Sequence, residues 1–253
     1  MPVVVTGADT ALGELVIDAL CGQGLDLRAT VEDRTLVADL VARGVKTAVS
    51  DLVDAERFGA VLEDAHTVIH LRGSDGGPGA VLDGIDDVLA AAPDSGVARI
   101  VTIAPLGRDS AAYPALERLD GSEYDTVVLH VGVVLAPLTD PRAEVPPLAD
   151  GAMSVAPLWV GDLAAALVAA DRLRDVHGHL HLDAVGADVV TSAELMARLG
   201  VPVGVAPGAA LGVPLPRADG QQMVGDRSER LREVLGVVPR PLDEAVRLAL
   251  TGL

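Results

Sequence analysis

With 253 residues, half of them hydrophobic, the chain can bury the core of one large domain, or of one domain with a small appendage. A formal charge of −18 repels a nucleic-acid backbone or an anionic membrane, so neither is an expected partner. The lone Cys21 excludes an internal disulfide, no basic region precedes an apolar stretch as an export signal would need, and no uncharged apolar run reaches the roughly 18 residues of a membrane span. A cytoplasmic location is therefore expected. All basic residues but Lys46 are arginines, a bias that suits a GC-rich, actinobacterial type of genome better than a salt-loving host.

The first stretch sets the pattern. Pro2 to Thr6 is a β-branched apolar run that stops at Gly7, and Leu12, Leu15, Val16, Ala19 and Leu20 then recur at helical spacing. Strand, glycine turn and helix together open a dinucleotide-binding unit. The turn resembles the TGxxGxxG of the short-chain dehydrogenase/reductase superfamily, in its extended and NmrA-like branches. Thr6, Gly7 and Gly13 match, while Thr10 stands at the middle glycine. If that place required positive φ, Thr10 would bring a strain of roughly 1–2 kcal/mol. Asp9 is expected at the helix N-terminus, where it or Thr10 can cap the N–H groups that an anion would otherwise take. A carboxylate about 4 Å from a phosphate costs on the order of 4 kcal/mol at an effective dielectric of about 20. Some relatives of this kind read TGxDTxxG and are nucleotide-dependent, so the resemblance leaves binding open.

A second strand, 25–31, ends at Glu32 and Asp33. An acid here, about 20 residues past the glycines, accepts hydrogen bonds from the adenosine ribose. Glu32 disfavours a 2′-phosphate, so NAD is expected over NADP; the alternative is a solvated strand end. A helix from Leu36 to Arg43 and a third strand lead to Ser50-Asp51-Leu52-Val53-Asp54, which resembles the family's GDLxD. There the resemblance implies that Asp51 contacts the adenine amino group and Leu52 covers the ring. A helix over 55–62 precedes Val68-Ile69-His70-Leu71-Arg72-Gly73, similar to the fourth strand VIHLAG, whose end, Leu71 included, faces the cofactor. His70 reads as a core or strand-end histidine. A helix of about fifteen residues is expected from Ala80, and 96–103 resembles GVxRxVxxS, the turn into a fifth strand.

The resemblance implies a cofactor site of Gly7, Asp9, Thr10, Leu12, Gly13, Glu32, Asp51, Leu52 and Leu71. It also implies a proton relay of serine, tyrosine and lysine, which this sequence lacks. The fifth strand runs into Ala104-Pro105-Leu106, without a hydroxyl. Tyr113 is the one candidate for the relay, and Glu117 stands where the lysine belongs, a charge of the wrong sign to ease a proton off the phenol. Tyr124 aligns with a packing tyrosine at the start of the sixth strand, so the helix bearing Tyr113 is cut to about two turns.

His130-Val131-Gly132 onward is similar to RPGNVYGP, with His130 in place of arginine. The proline-rich stretch 137–157 reads as a cover segment. Asp162 is expected to cap a helix, as is Thr191 or Ser192, and two short helices close the chain. His179, His181 and Asp183 share one face of a strand, a geometry a metal site would need; the plainer reading is a strand with alternate histidines, and no metal is expected.

The fold expected is α/β, a Rossmann-type doubly wound parallel sheet with a small C-terminal α/β cap. The core spans about 1–136 plus 155–185, and the cap 137–154 plus 186–253. Three functions stay open: a dinucleotide-binding protein with weak or absent dehydrogenase activity, an active NAD-dependent oxidoreductase or epimerase with other acid–base groups, or a non-catalytic regulator or partner subunit. The partners implied are a dinucleotide, an undetermined small-molecule substrate, and a second copy or another protein; extended relatives dimerise through their fourth and fifth helices.

Overall fold

A computed structural model describes residues 2–74, 80, 82–106, 112–137, 153–174, 176–200 and 229–252. Seven parallel strands form one sheet: β1 (Val3–Thr6), β2 (Leu27–Val31), β3 (Lys46–Val49), β4 (Thr67–His70), β5 (Arg99–Pro105), β6 (Asp125–Val131) and β10 (His179–Ala184). Their order is β10-β6-β5-β4-β1-β2-β3. Central strands buried on both faces read as unbroken apolar runs, as Val3-Val4-Val5 and Ile100-Val101 do here. The chain starts at β1, winds to β3, and returns to β4 on the other side of β1. The switch point, where adjacent connections leave in opposite directions, therefore lies between β1 and β4.

Helices α1 (Ala11–Leu20), α2 (Val37–Ala42, after a 3₁₀ turn at Arg34–Leu36), α3 (Ala55–Leu62), α4 (Ile85–Ala91) and α5 (Tyr113–Asp120) connect these strands. Right-handed crossovers put α1 and α2 on one face and α3, α4 and α5 on the other. Helix α6 (Val160–Asp171) packs on α1, and Arg99 of β5 donates to the C-terminal carbonyls of α6, Ala170 and Asp171. The connection from β6 to β10 thus runs over the α1 face. Among the described residues, the β6–β10 edge has on the opposite face only the two turns of α5 beside it.

Short strands β7 (Val134–Leu135) and β9 (Leu158–Trp159) pair in parallel, and β8 (Ser154–Val155) pairs antiparallel with β11 (Val190–Thr191). Helices α7 (Ser192–Arg198), α8 (Glu229–Leu235) and α9 (Leu242–Thr251) complete the described chain. Thr191 caps α7 by accepting from Glu194 N at 3.1 Å. Tyr124 is buried against the core, as a packing residue should be.

Two expectations need correction. The fifteen-residue helix from Ala80 is the seven-residue α4, because Leu82 (φ 69°) and Gly84 (φ 77°) adopt left-handed backbone that a helix cannot contain. Asp162 is not a cap: it lies inside α6, buried, and accepts from Arg240 N at 2.8 Å and from the Arg240 guanidinium. It holds the C-terminal segment to the sheet. Most of the proline-rich cover lies outside the described residues, as does all but Gly200 of the glycine- and proline-rich stretch 200–216, which reads as loop in the sequence. Among the described residues no helix is long and apolar enough to cross a membrane.

Candidate dinucleotide cleft and an adjoining pocket

The switch point is framed by tight backbone contacts. Gly7 has φ 67°, and a Cβ there would lie 2.6 Å from Arg72 N, so the turn after β1 and the end of β4 approach as closely as only glycine permits. A Cβ on Gly13 would fall 2.1 Å from Gly7 O, which locks α1 against the turn. Polar groups tie the strand ends together behind this. His70, fully buried, accepts from Thr6 Oγ1 through Nδ1 (2.8 Å) and donates through Nε2 to Asp83 O (3.0 Å). Burial pushes its pKa down to about 4, so the ring is neutral and structural.

Thr10 caps α1. Its hydroxyl accepts from Gly13 N at 3.0 Å and donates to Gly7 O at 2.8 Å. Its φ of −78° is ordinary extended backbone, so the strain considered for a β-branched residue here does not arise. Asp9 Oδ2 accepts from Glu32 N (2.7 Å) and Asp33 N (3.0 Å), satisfying two amides where the chain leaves β2. Glu32 accepts from Arg72 Nε at 2.7 Å, and the same guanidinium stands 3.6 Å from Asp83. Arg72 takes the place of the small residue in VIHLAG, and nothing in the spacing signalled that it would close on Glu32.

The remaining positions divide. Asp51 is exposed and accepts from Val53 N at 3.3 Å. Leu52 is fully buried with φ 66°, its N–H held by Ser50 Oγ at 3.0 Å; Leu12 and Leu71 are buried as well. Gly7, Thr10, Gly13, Asp9, Glu32 and Arg72 thus come together at one strand-end crevice, with Asp51 and Leu52 at the end of β3. The buried Ser74 hydroxyl just past β4 has no hydrogen-bond partner among the described residues. The glycine contacts are those of a close strand–turn–helix packing at the switch point. Several of the polar groups that would hold a dinucleotide are already bonded within the chain.

Tyr113 lies elsewhere, on the rim of a cavity of about 440 Å³ beside α5. Leu106 and Leu116 line it with Glu117 and Asp120, and His130 of β6 and His181 of β10 form its floor. His130 Nε2 meets His181 Nδ1 at 2.8 Å, with the rings stacked at 5.1 Å, and His181 Nε2 meets Asp120 Oδ1 at 3.0 Å. His179, expected on the same face, bonds Thr126 Oγ1 at 3.0 Å instead. Among the described residues no group of three His, Cys, Asp or Glu side chains is arranged to hold a metal. Lys46, the chain's only lysine, pairs with Asp26 at 2.8 Å at the start of β3, on the far edge of the sheet from Tyr113.

A family model described as NAD(P)H-binding matches residues 7–126, from the first turn to the start of β6. None of the curated proteins matches the chain by sequence. Among solved structures, MoeE5 in complex with UDP-glucose and NAD is 20% identical, with 98% of this chain and 96% of that one covered at a TM-score of 0.72. The UDP-glucose-4-epimerase of Stenotrophomonas maltophila with bound NAD is 18% identical over 98% and 96%, at 0.71. A nucleoside-diphosphate-sugar epimerase of Staphylococcus aureus is 17% identical over 98% and 100%, also at 0.71. These identities carry the fold and no further. Residues 7–126 thus match an NAD(P)H-binding family model, and the described chain has the Rossmann-type fold of these epimerases.

Proposed function

We propose that the chain is a nicotinamide-dinucleotide-type Rossmann protein that binds NAD weakly, in preference to NADP, and has little or no dehydrogenase activity by the superfamily's usual route. One observation carries the weak-binding part: Thr10 and Asp9 hold, with their own side chains, amide groups of Gly13, Glu32 and Asp33 in the cleft. A ligand must displace those bonds or do without them, and each displaced bond to a charged group costs about 1.5–3 kcal/mol. The Arg72–Glu32 pair adds to this, since Glu32 must release Arg72 before it can accept from a ribose. NAD is preferred because the group at the end of β2 is a carboxylate, which opposes a 2′-phosphate. The missing relay rests on composition at the site: Ala104-Pro105-Leu106 supply no hydroxyl, and Glu117 stands four residues after Tyr113.

NADH fluorescence titration tests the reading. Weak, submillimolar-to-millimolar binding is expected for the native chain, with a gain of about tenfold or more when Asp9→Ala and Thr10→Gly are combined. Micromolar NADH affinity in the native protein would refute self-capping. Hydride transfer to a carbonyl that depends on Tyr113 would refute the rest.

A further inference from the structure

The cavity beside α5 contains a polar chain that the dinucleotide reading does not use. It runs from Pro105 O to His130 Nδ1 (3.4 Å), from His130 Nε2 to His181 Nδ1 (2.8 Å), and from His181 Nε2 to Asp120 Oδ1 (3.0 Å). Both ends, a carbonyl and a carboxylate, can only accept. Three contacts therefore need three N–H hydrogens from two rings, and two neutral imidazoles carry two. A pair bearing one additional proton satisfies the whole row, and a neutral pair leaves one contact without its hydrogen. Burial lowers the His130 pKa, against the hydrogen bond to Pro105 O, which raises it, and with the neighbouring His181, which lowers it.

The groups facing this pair are acidic or apolar. Tyr113, Glu117 and Asp120 come from α5, and Asp183 lines the same cavity from β10; among the described residues no lysine or arginine lines it. Leu106, Leu116 and the Tyr113 ring make the apolar part. The cavity exists because the connection to β10 crosses the α1 face and α5 is only two turns long, so nothing else among the described residues covers His130 and His181.

We propose that this pocket is a second ligand site, which takes a small organic cation: an amine on an apolar body, its ammonium group beside Glu117 and Asp120. An ammonium supplies both things the row lacks when the histidine pair is neutral, a positive charge and N–H donors. Binding then competes with the pair's own proton. Amine affinity rises with pH as that proton leaves, and stays high until the amine itself deprotonates. The proposal is independent of dinucleotide binding.

Calorimetric titration of the full chain with benzylamine, benzyl alcohol and benzoate tests it, with NADH titrated separately on the same samples. Benzylamine is expected to bind in the millimolar range or tighter at pH 8, at least about tenfold better than benzyl alcohol, with no benzoate binding. Its affinity should fall by up to about tenfold per pH unit on acidification through the histidine titration, with proton release seen in buffers of differing ionisation enthalpy. Glu117→Gln, an exposed change that leaves the fold alone, should weaken benzylamine and leave NADH unchanged. His181→Gln should remove the pH dependence. Equal binding of alcohol and amine, preference for benzoate, pH-independent amine affinity, or no benzylamine binding up to about 10 mM would each overturn the proposal.

Discussion

The centre of the sheet and one of its edges solve opposite problems. At the β1–β4 switch point, glycine backbones approach to the limit of contact, and the polar groups are bonded to one another: Thr10 to Gly13, Asp9 to Glu32 and Asp33, Glu32 to Arg72. At the β6–β10 edge the side chains leave a cavity with a hydrogen-bonded row of two histidines ending on Asp120. The first region keeps the form of a nucleotide site while satisfying itself. The second has no counterpart in the family's motifs, yet holds the groups able to exchange a proton.

The strongest way to break this contrast is at Gly13. A Cβ 2.1 Å from Gly7 O cannot be accommodated without moving the turn, so Gly13→Ala should lower stability by about 3 kcal/mol or more. For a chain of this size that is roughly 6–12 °C in calorimetric melting temperature. An unchanged melting curve would show that the turn is looser than the contact implies.

His70 comes next. His70→Leu leaves the buried Thr6 hydroxyl and Asp83 O without a partner, at about 2–3 kcal/mol. Its titration gives a signed prediction as well. With a folded pKa of about 4 against an ordinary 6.5, the unfolded chain binds the proton first on acidification. The His70 contribution is therefore complete above pH 6.5 and is lost as pH falls towards 4, by on the order of 3 kcal/mol in all. Urea unfolding at stepped pH should show that slope in the native chain and a flatter one in the leucine variant.

Smaller changes sharpen the contrast. Thr10→Ala removes the α1 cap and should cost about 1 kcal/mol, read as a shift of the urea midpoint at constant slope. Arg72→Met frees Glu32 from a partly exposed pair, worth up to about 1 kcal/mol of stability. NADH affinity should nevertheless improve a few-fold, because the acid no longer has to be released. A loss of affinity instead would make Arg72 a binding group in its own right.

Much of the architecture was legible in the residues. The β-branched run before Gly7, the helical spacing after it, and the two-turn helix implied between Tyr113 and Tyr124 all reappear as β1, α1 and α5. So does Thr191 as a cap. These features are local: strand and helix periodicity and cap chemistry act over a few residues, and a sequence window contains them. The fifteen-residue helix from Ala80 failed because the backbone at Leu82, an apolar residue with no intrinsic preference for positive φ, is set by its surroundings. Asp162 was placed by helix rules, and a residue 78 positions away claimed it.

The sequence alone fixed the glycine turn, the missing hydroxyl after β5, the solitary lysine and the acid at the end of β2, because each is a matter of residue identity at a spacing. Only the tertiary structure decided what those groups face. It joined Asp9 to the amides after β2, closed Arg72 on Glu32, and set His130 against His181 across 51 residues of chain. Such partnerships depend on strand order and on which face a connection crosses, and no local pattern encodes either.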